Sequence, residues 1–263
     1  MAFWGFDFLL DNVSSTGYGV YISNINDSGV IESSFGSSIN LITKKLLRNP
    51  VEYLFGVEQT PPLEFDISIT SPDPIPGSMR DVIGSWLFGK QSYRKLRIIQ
   101  NDLQDVYFNC FIVSGTAIYI GNLCYGFKCH IKNDSPFAYG NTQTITRTYT
   151  LLANELYTYN NLSANAYYTY PTVTFKISSV GIDFGIMNAN DNNRVFTFTS
   201  LTAGEIMTVD CQRQIISSST GLLRVANFNK KWLRFVPGIN ILRIVGGIDY
   251  LTLQIPVAKK VGA

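Results

Sequence analysis

His130 is the only histidine of the chain, and it stands beside Cys129 with Cys124 a short distance upstream. Thiolates and imidazole together are zinc chemistry. Cys124-Tyr-Gly-Phe-Lys-Cys129, however, lacks the tight spacing of a metal clip, and no second Cys/His pair follows it. The four cysteines, Cys110, Cys124, Cys129 and Cys211, read instead as buried free thiols, since free cysteine packs as a small hydrophobe. They are too few for a disulfide framework in a chain of this length. A Ser-His-Asp or Cys-His nucleophilic site would have to use His130, which lies inside the strand-like run Tyr125–Ile131. Asp102 and Asp105 are a conceivable carboxylate pair, but Asn101-Asp102-Leu103-Gln104-Asp105 reads as a turn with solvated aspartates. No Gly-rich phosphate loop, no His-Glu-x-x-His and no nucleophile elbow occurs. The expectation is a protein that is not an enzyme, with no metal and no cofactor.

Composition points the same way. Of 263 residues, 46% are hydrophobic and 15% charged, enough for a substantial core and little enough charge to exclude wholesale disorder. Lys and Arg number 21 against 19 Asp and Glu, a balance of +2, which argues against a basic face that grips nucleic acid. The abundance of Tyr (15) and Phe (17) suits pleated sheet. No apolar run approaches the roughly 18–20 residues of a membrane helix, so no membrane insertion is expected. Met1-Ala2-Phe3-Trp4-Gly5 lacks the basic start of a secretory signal, giving the expectation of synthesis in a cytoplasm.

Most of the chain alternates with the two-residue period of strands. Leu63–Thr70 is the clearest case, bounded by Pro61-Pro62 and by Ser71-Pro72-Asp73-Pro74. Further strands are expected at Lys95–Ile99, Val106–Val113, Gly126–Ile131, Thr172–Ile177, Arg194–Thr199, Glu205–Asp210 and Ile239–Val245. One segment departs from the pattern. Ser78-Met79-Arg80-Asp81 reads as a capping box, and Met79, Val82, Ile83, Trp86 and Leu87 recur at helical spacing before Gly89. This predicts a short helix anchored on a sheet by Trp86. From Ser23 to Pro50 apolar residues are thinly spread and a basic cluster, Lys44, Lys45 and Arg48, closes the stretch. It reads equally as an extended arm or as a hairpin with a surface loop. A polar, turn-prone run at Tyr157–Tyr168 then leads into a new series of short strands, the mark of a β-sandwich. The domain boundary is placed near residue 150, giving units 1–150 and 151–263.

Several phrases taken in order carry a family likeness. They are the Pro62–Ile69 strand before the Met79–Leu87 helix, Tyr93–Ile99 with the turn at 101–105, and Val106–Cys110. Tyr125–Cys129 and Ser135–Tyr139 follow, then Leu201–Asp210, Asn227–Leu233 and Val236–Asn240. The set resembles the distal tail (Dit) proteins of long-tailed bacteriophages over most of residues 50–263. The resemblance implies a mainly β chain: an N-terminal tail-tube-like domain of two sheets and one short helix, and a C-terminal galectin-like β-sandwich. It implies a structural baseplate-hub role in a hexameric ring that joins the tail tube to the tip, with an arm from each N-terminal domain clasping its neighbour. Implied partners are the tail-tube protein, the tape-measure protein, the hub or tail-associated lysin and a receptor-binding protein. Double-stranded DNA would pass through the lumen without specific binding, in keeping with the near-neutral charge. The segment 23–50 sits where such an arm belongs, and Phe35, Leu41 and Ile42 are its candidate apolar anchors. Two alternatives remain at this point. One is another tube or hub component; the other is a carbohydrate-binding module centred on Trp232 with Asn227 or Asn229.

Overall fold

A computed structural model describes residues 6–23, 41–57, 61–179 and 183–260. The chain divides into two units, residues 1–139 with 260–263, and residues 140–259. The division falls ahead of the expected boundary near residue 150, because Gln143–Thr148 is hydrogen-bonded along its length to Tyr250–Ile255 of the second unit.

The first unit is built on β1 (Asp7–Leu10), β2 (Val13–Ser14), β3 (Tyr21–Ser23), β4 (Leu41–Lys45), β5 (Glu52–Val57) and β6 (Glu64–Thr70). After β6 come helix α1 (Gly77–Phe88), β7 (Arg94–Ile99), β8 (Phe108–Ile120), β9 (Leu123–Asn133) and β10 (Ala138–Tyr139). Seven strands pair antiparallel in the order β2-β1-β7-β8-β9-β6-β3, while β4 and β5 form a separate two-stranded sheet. Alternation decides the faces of the large sheet. Phe8, Leu10, Ile67, Ile69, Leu96, Ile98, Phe108 and Ile131 point inward and are buried together with Ile83 and Leu87 of the helix. Trp86 lies against this core, its ring stacked 4.3 Å from Tyr18 and 5.6 Å from Phe8. It is a packing residue, as the helical stripe suggests.

The helix start differs from the sequence reading. Pro76 occupies the cap position with no side-chain hydrogen bond, and Ser78 lies inside the helix, so no capping box forms. A proline needs no partner for an N–H it does not have, and its fixed φ suits the first turn. Met79 and Val82 of the expected stripe are exposed. At the other end a buried arginine closes the helix. Arg94 Nη1 donates to the carbonyls of Trp86 and Leu87, and Nε donates to Asp11 Oδ2 at 2.8 Å. Burial opposes ionisation of Asp11, but hydrogen bonds from Lys90 and Arg94 outweigh it and hold the carboxyl at about 2.

The second unit comprises β11 (Gln143–Thr148), β12 (Ala153–Asn161), β13 (Thr172–Ile177), β14 (Phe184–Asn188) and β15 (Arg194–Phe198). It continues through β16 (Ile206–Asp210), β17 (Ile215–Ser218), β18 (Gly238–Gly246) and β19 (Ile248–Ile255). A five-stranded sheet, β11-β19-β13-β16-β17, and a four-stranded sheet, β12-β18-β14-β15, share one core. That core is rich in phenylalanine, with Phe175, Phe184, Phe196, Phe198 and Phe228 buried in successive ring contacts and Phe235 buried against Tyr159. The first five residues of the run expected to be turn-like, Tyr157–Asn161, are instead the end of β12: Tyr157, Tyr159 and Asn161 face the core, and Thr158 and Asn160 face solvent.

Two buried ion pairs fix loops of this unit. Arg224 grips Glu205 through Nε (2.8 Å) and Nη2 (2.7 Å), while Ser218 Oγ also donates to the same carboxylate. Burial raises the Glu205 pKa, but these donors prevail and hold it at about 2. Arg234 binds Asp191 in the same two-pronged way, at 2.7 and 3.0 Å, and covers the ring of Tyr168.

Candidate assembly interface

Among the described residues, the segment between β3 and β6 contains an unusually apolar exposed surface. Its described part is the β4–β5 hairpin, in which Thr43 faces Leu54, Lys44 faces Tyr53 and Lys45 faces Glu52. A register shift beyond Thr43 leaves Phe55 as the extra residue of β5, since Ile42 faces Gly56. The turn is well built. Asn49 accepts from the Val51 amide (3.0 Å) and donates to the Tyr53 hydroxyl (2.9 Å), and Arg48 takes a left-handed φ of 64°.

The faces are not those of a solvated hairpin. Leu41, Ile42, Leu47, Tyr53, Leu54 and Phe55 are all exposed, Leu54 at 62% and Phe55 at 68%. A lone two-stranded ribbon is at best marginal in water, and here neither face buries its apolar side chains among the described residues. Contiguous apolar exposure of this kind marks a surface that meets another molecule.

Of the anchors expected from the sequence, Leu41 and Ile42 lie on β4 in this exposed hairpin, and Phe35 lies outside the described residues. Tyr53, Leu54 and Phe55 escaped the sequence reading, which ended the arm at Pro50. The signal was present: three consecutive large apolar residues within a strand break the two-residue alternation, so both faces must be apolar.

The other residues singled out for chemistry are placed as follows. Asp102 lies in a short 3-10 turn, Asn101–Leu103, and both it and Asp105 are exposed. His130 and Cys129 are neighbours in β9 and therefore face opposite sides of the sheet, which separates the thiol from the imidazole. His130 belongs to a ladder of alternating charge on the open face. Its Nδ1 is 2.8 Å from Asp66 and its Nε2 3.6 Å from Glu64, while Lys128 pairs with Asp66 (3.0 Å) and Lys132 with Glu64 (2.7 Å). The hydrogen bond from His130, then that from Lys128, lowers the Asp66 pKa; Lys132 lowers that of Glu64. All four cysteines are free and buried, and burial pushes Cys110, Cys129 and Cys211 up to about 12.

Trp232 packs edge-on against Phe228, with ring centroids 4.7 Å apart. Asn227 donates to the Thr199 and Ser200 carbonyls, and Asn229 bonds the backbone of Val195 and Thr197. Both asparagines are consumed in covering the edge of β15 and do not converge with Trp232 on an open platform for a sugar.

Comparison with known proteins gives a consistent picture. Residues 4–135 match a family described as the phage tail protein N-terminal domain, and residues 137–254 one described as the phage tail C-terminal domain. No curated protein matches the chain. Among solved structures, the fold is similar to that of SPP1 Dit (gp 19.1), described as a paradigm of the hub adsorption apparatus in phages infecting Gram-positive bacteria. The TM-score is 0.69 at 12% identity, covering 97% of this chain and 99% of that one. The mainly β, two-unit architecture and the two family matches together identify the chain: it belongs to the phage tail proteins, with the fold of a distal tail hub protein.

Proposed function

We propose that the protein forms a homo-oligomeric ring, a hexamer, at the distal end of a long phage tail. There it joins the tail tube to the tip and to the adhesion apparatus, and its role is structural rather than catalytic. The observation that carries this reading is the β4–β5 hairpin, whose exposed Leu41, Ile42, Leu54 and Phe55 have nothing to bury them among the described residues. A neighbouring copy supplies that cover in a closed ring, where each arm is received by the next subunit. The ring contacts the tail-tube and tape-measure proteins on one side, and the hub or tail-associated lysin and a receptor-binding protein on the other. The duplex slides through the lumen without specific binding, in accord with a net charge of +2. The chain is made in the host cytoplasm before assembly into the virion. Native mass spectrometry with negative-stain imaging tests this directly. The expected result is a six-fold ring with a central hole, alone or with its tube partner; a strict monomer at every concentration, with and without that partner, overturns it.

A further inference from the structure

The two outward sheet faces of the second unit are chemically unlike. On the five-stranded sheet, Thr146, Thr252, Thr174, Thr208 and Ser217 lie side by side in one row across all five strands. Lys176 and Asp249 form an ion pair of 2.8 Å on the same sheet. This is an ordinary solvated face, with hydroxyl pairs of the kind that stabilise neighbouring strands.

On the four-stranded sheet the corresponding central row reads Leu156, Arg243, Met187, Val195. Ile241 and Val245 flank Arg243 along β18, with Ile239 beyond, and all are exposed; Leu156 is 73% exposed. No Asp, Glu or Lys lies among these rows, and no carboxylate among the described residues pairs with Arg243. Asn154, Thr158 and Asn160 provide the polar margin along β12. An apolar patch with Met and a central arginine, depleted of other charge and rimmed by amides, has the composition of an interface core.

We propose that this face of the four-stranded sheet docks a different protein, one that presents an apolar surface centred on a carboxylate. Charge decides against a two-fold contact with a second copy of this chain. A two-fold contact through the centre of the patch would set Arg243 against Arg243, and like charges desolvated together oppose association. A carboxylate instead meets the guanidinium in a two-pronged pair, and the surrounding side chains exclude water from it. The assignment rests on the reading of the chain as a tail component, because the partner is sought in the assembled tail.

The test compares the full-length protein, free and within purified tails, by hydroxyl-radical footprinting read out by mass spectrometry. Met187 and Leu156 are expected to react at least fivefold more slowly in tails than in the free chain. Tails carrying R243E are then expected to contain this chain, folded with an unchanged melting temperature, while one other tail protein is depleted at least tenfold. A lysine replacing one acidic residue of that protein should restore it. Equal reactivity of Met187 and Leu156 in both states overturns the assignment, as does R243E leaving tail composition unchanged. If R243E alters the oligomeric state of the isolated chain instead, the occupant is a second copy and the assignment fails. Absence of the wild-type chain from tails would remove the tail reading itself, whereas presence without protection removes the docking face alone.

Discussion

Truncating the arm, L54A together with F55A, separates assembly from folding. Fully burying a Leu or Phe side chain is worth roughly 1.5–3 kcal/mol relative to leaving it in water. Leu54 is 62% and Phe55 68% exposed in the single chain, so about two thirds of that gain remains for a neighbour to supply. That is roughly 1–2 kcal/mol each and about 2–4 kcal/mol for the pair, if the receiving surface covers both. At about 1.4 kcal/mol per tenfold, each arm contact should weaken roughly 30- to 700-fold. Because neither side chain contributes to the core of its own subunit, the melting temperature of the dissociated protomer should not fall. Sedimentation or native mass spectrometry across a concentration series would follow the first quantity, and thermal unfolding under dissociating conditions the second. A double variant that keeps the wild-type distribution of oligomers refutes the arm as the clasp. One that loses several degrees of protomer stability refutes the claim that these residues are idle within the chain.

Other expectations concern the framework. Breaking the buried Glu205–Arg224 pair with R224M leaves a carboxylate buried without its partner, and should cost the second unit about 3–5 kcal/mol in urea denaturation. The pH profile follows from the same group and from Asp11. Both carboxyls are held at about 2 in the fold, below the ordinary value near 4. Their stabilisation is therefore complete above about pH 5 and is lost as pH falls towards 2; E205Q and D11N should flatten that descent. R94M should release the last turn of α1 and cost about 3 kcal/mol or more, reported by the fluorescence of Trp86 against its stacking partners. The thiols of Cys110, Cys129 and Cys211 should resist a disulfide reagent in the native protein and all react in denaturant. A thiol that titrates rapidly in the native state would contradict its burial.

The sequence was legible where punctuation and periodicity agreed. Thr172–Ile177 coincides with β13, and the proline pairs around Leu63–Thr70 bracket β6 to within a residue. Legibility failed where a local rule was overridden. Ser78 and Asp81 have the right spacing for a capping box, but Pro76 and Gly77 already begin the helix. Residues 157–161 look like turn because they are Tyr and Asn, yet an edge strand with one wet face can use both. The strands Phe184–Asn188 and Ile248–Ile255 were missed, the first because Gly185 and Asn188 dilute its pattern. In the exposed hairpin the basic cluster and the apolar pair Leu41 and Ile42 stood out in the sequence. The returning strand did not, since Pro50 reads as an end and is in fact part of the hairpin tip.

The arm is inserted between β3 and β6, two strands that pair antiparallel with Ser23 opposite Ser68. Both of its roots therefore leave the sheet at the same end. A pull on the arm is delivered lengthwise along β6, which β9 holds through seven consecutive register pairs from Glu64 to Thr70. Loaded in this direction, the rungs of that ladder resist together and do not peel apart one at a time. In the proposed ring, tension passing around the closed hoop would load this β6–β9 seam in shear, directly behind the joint.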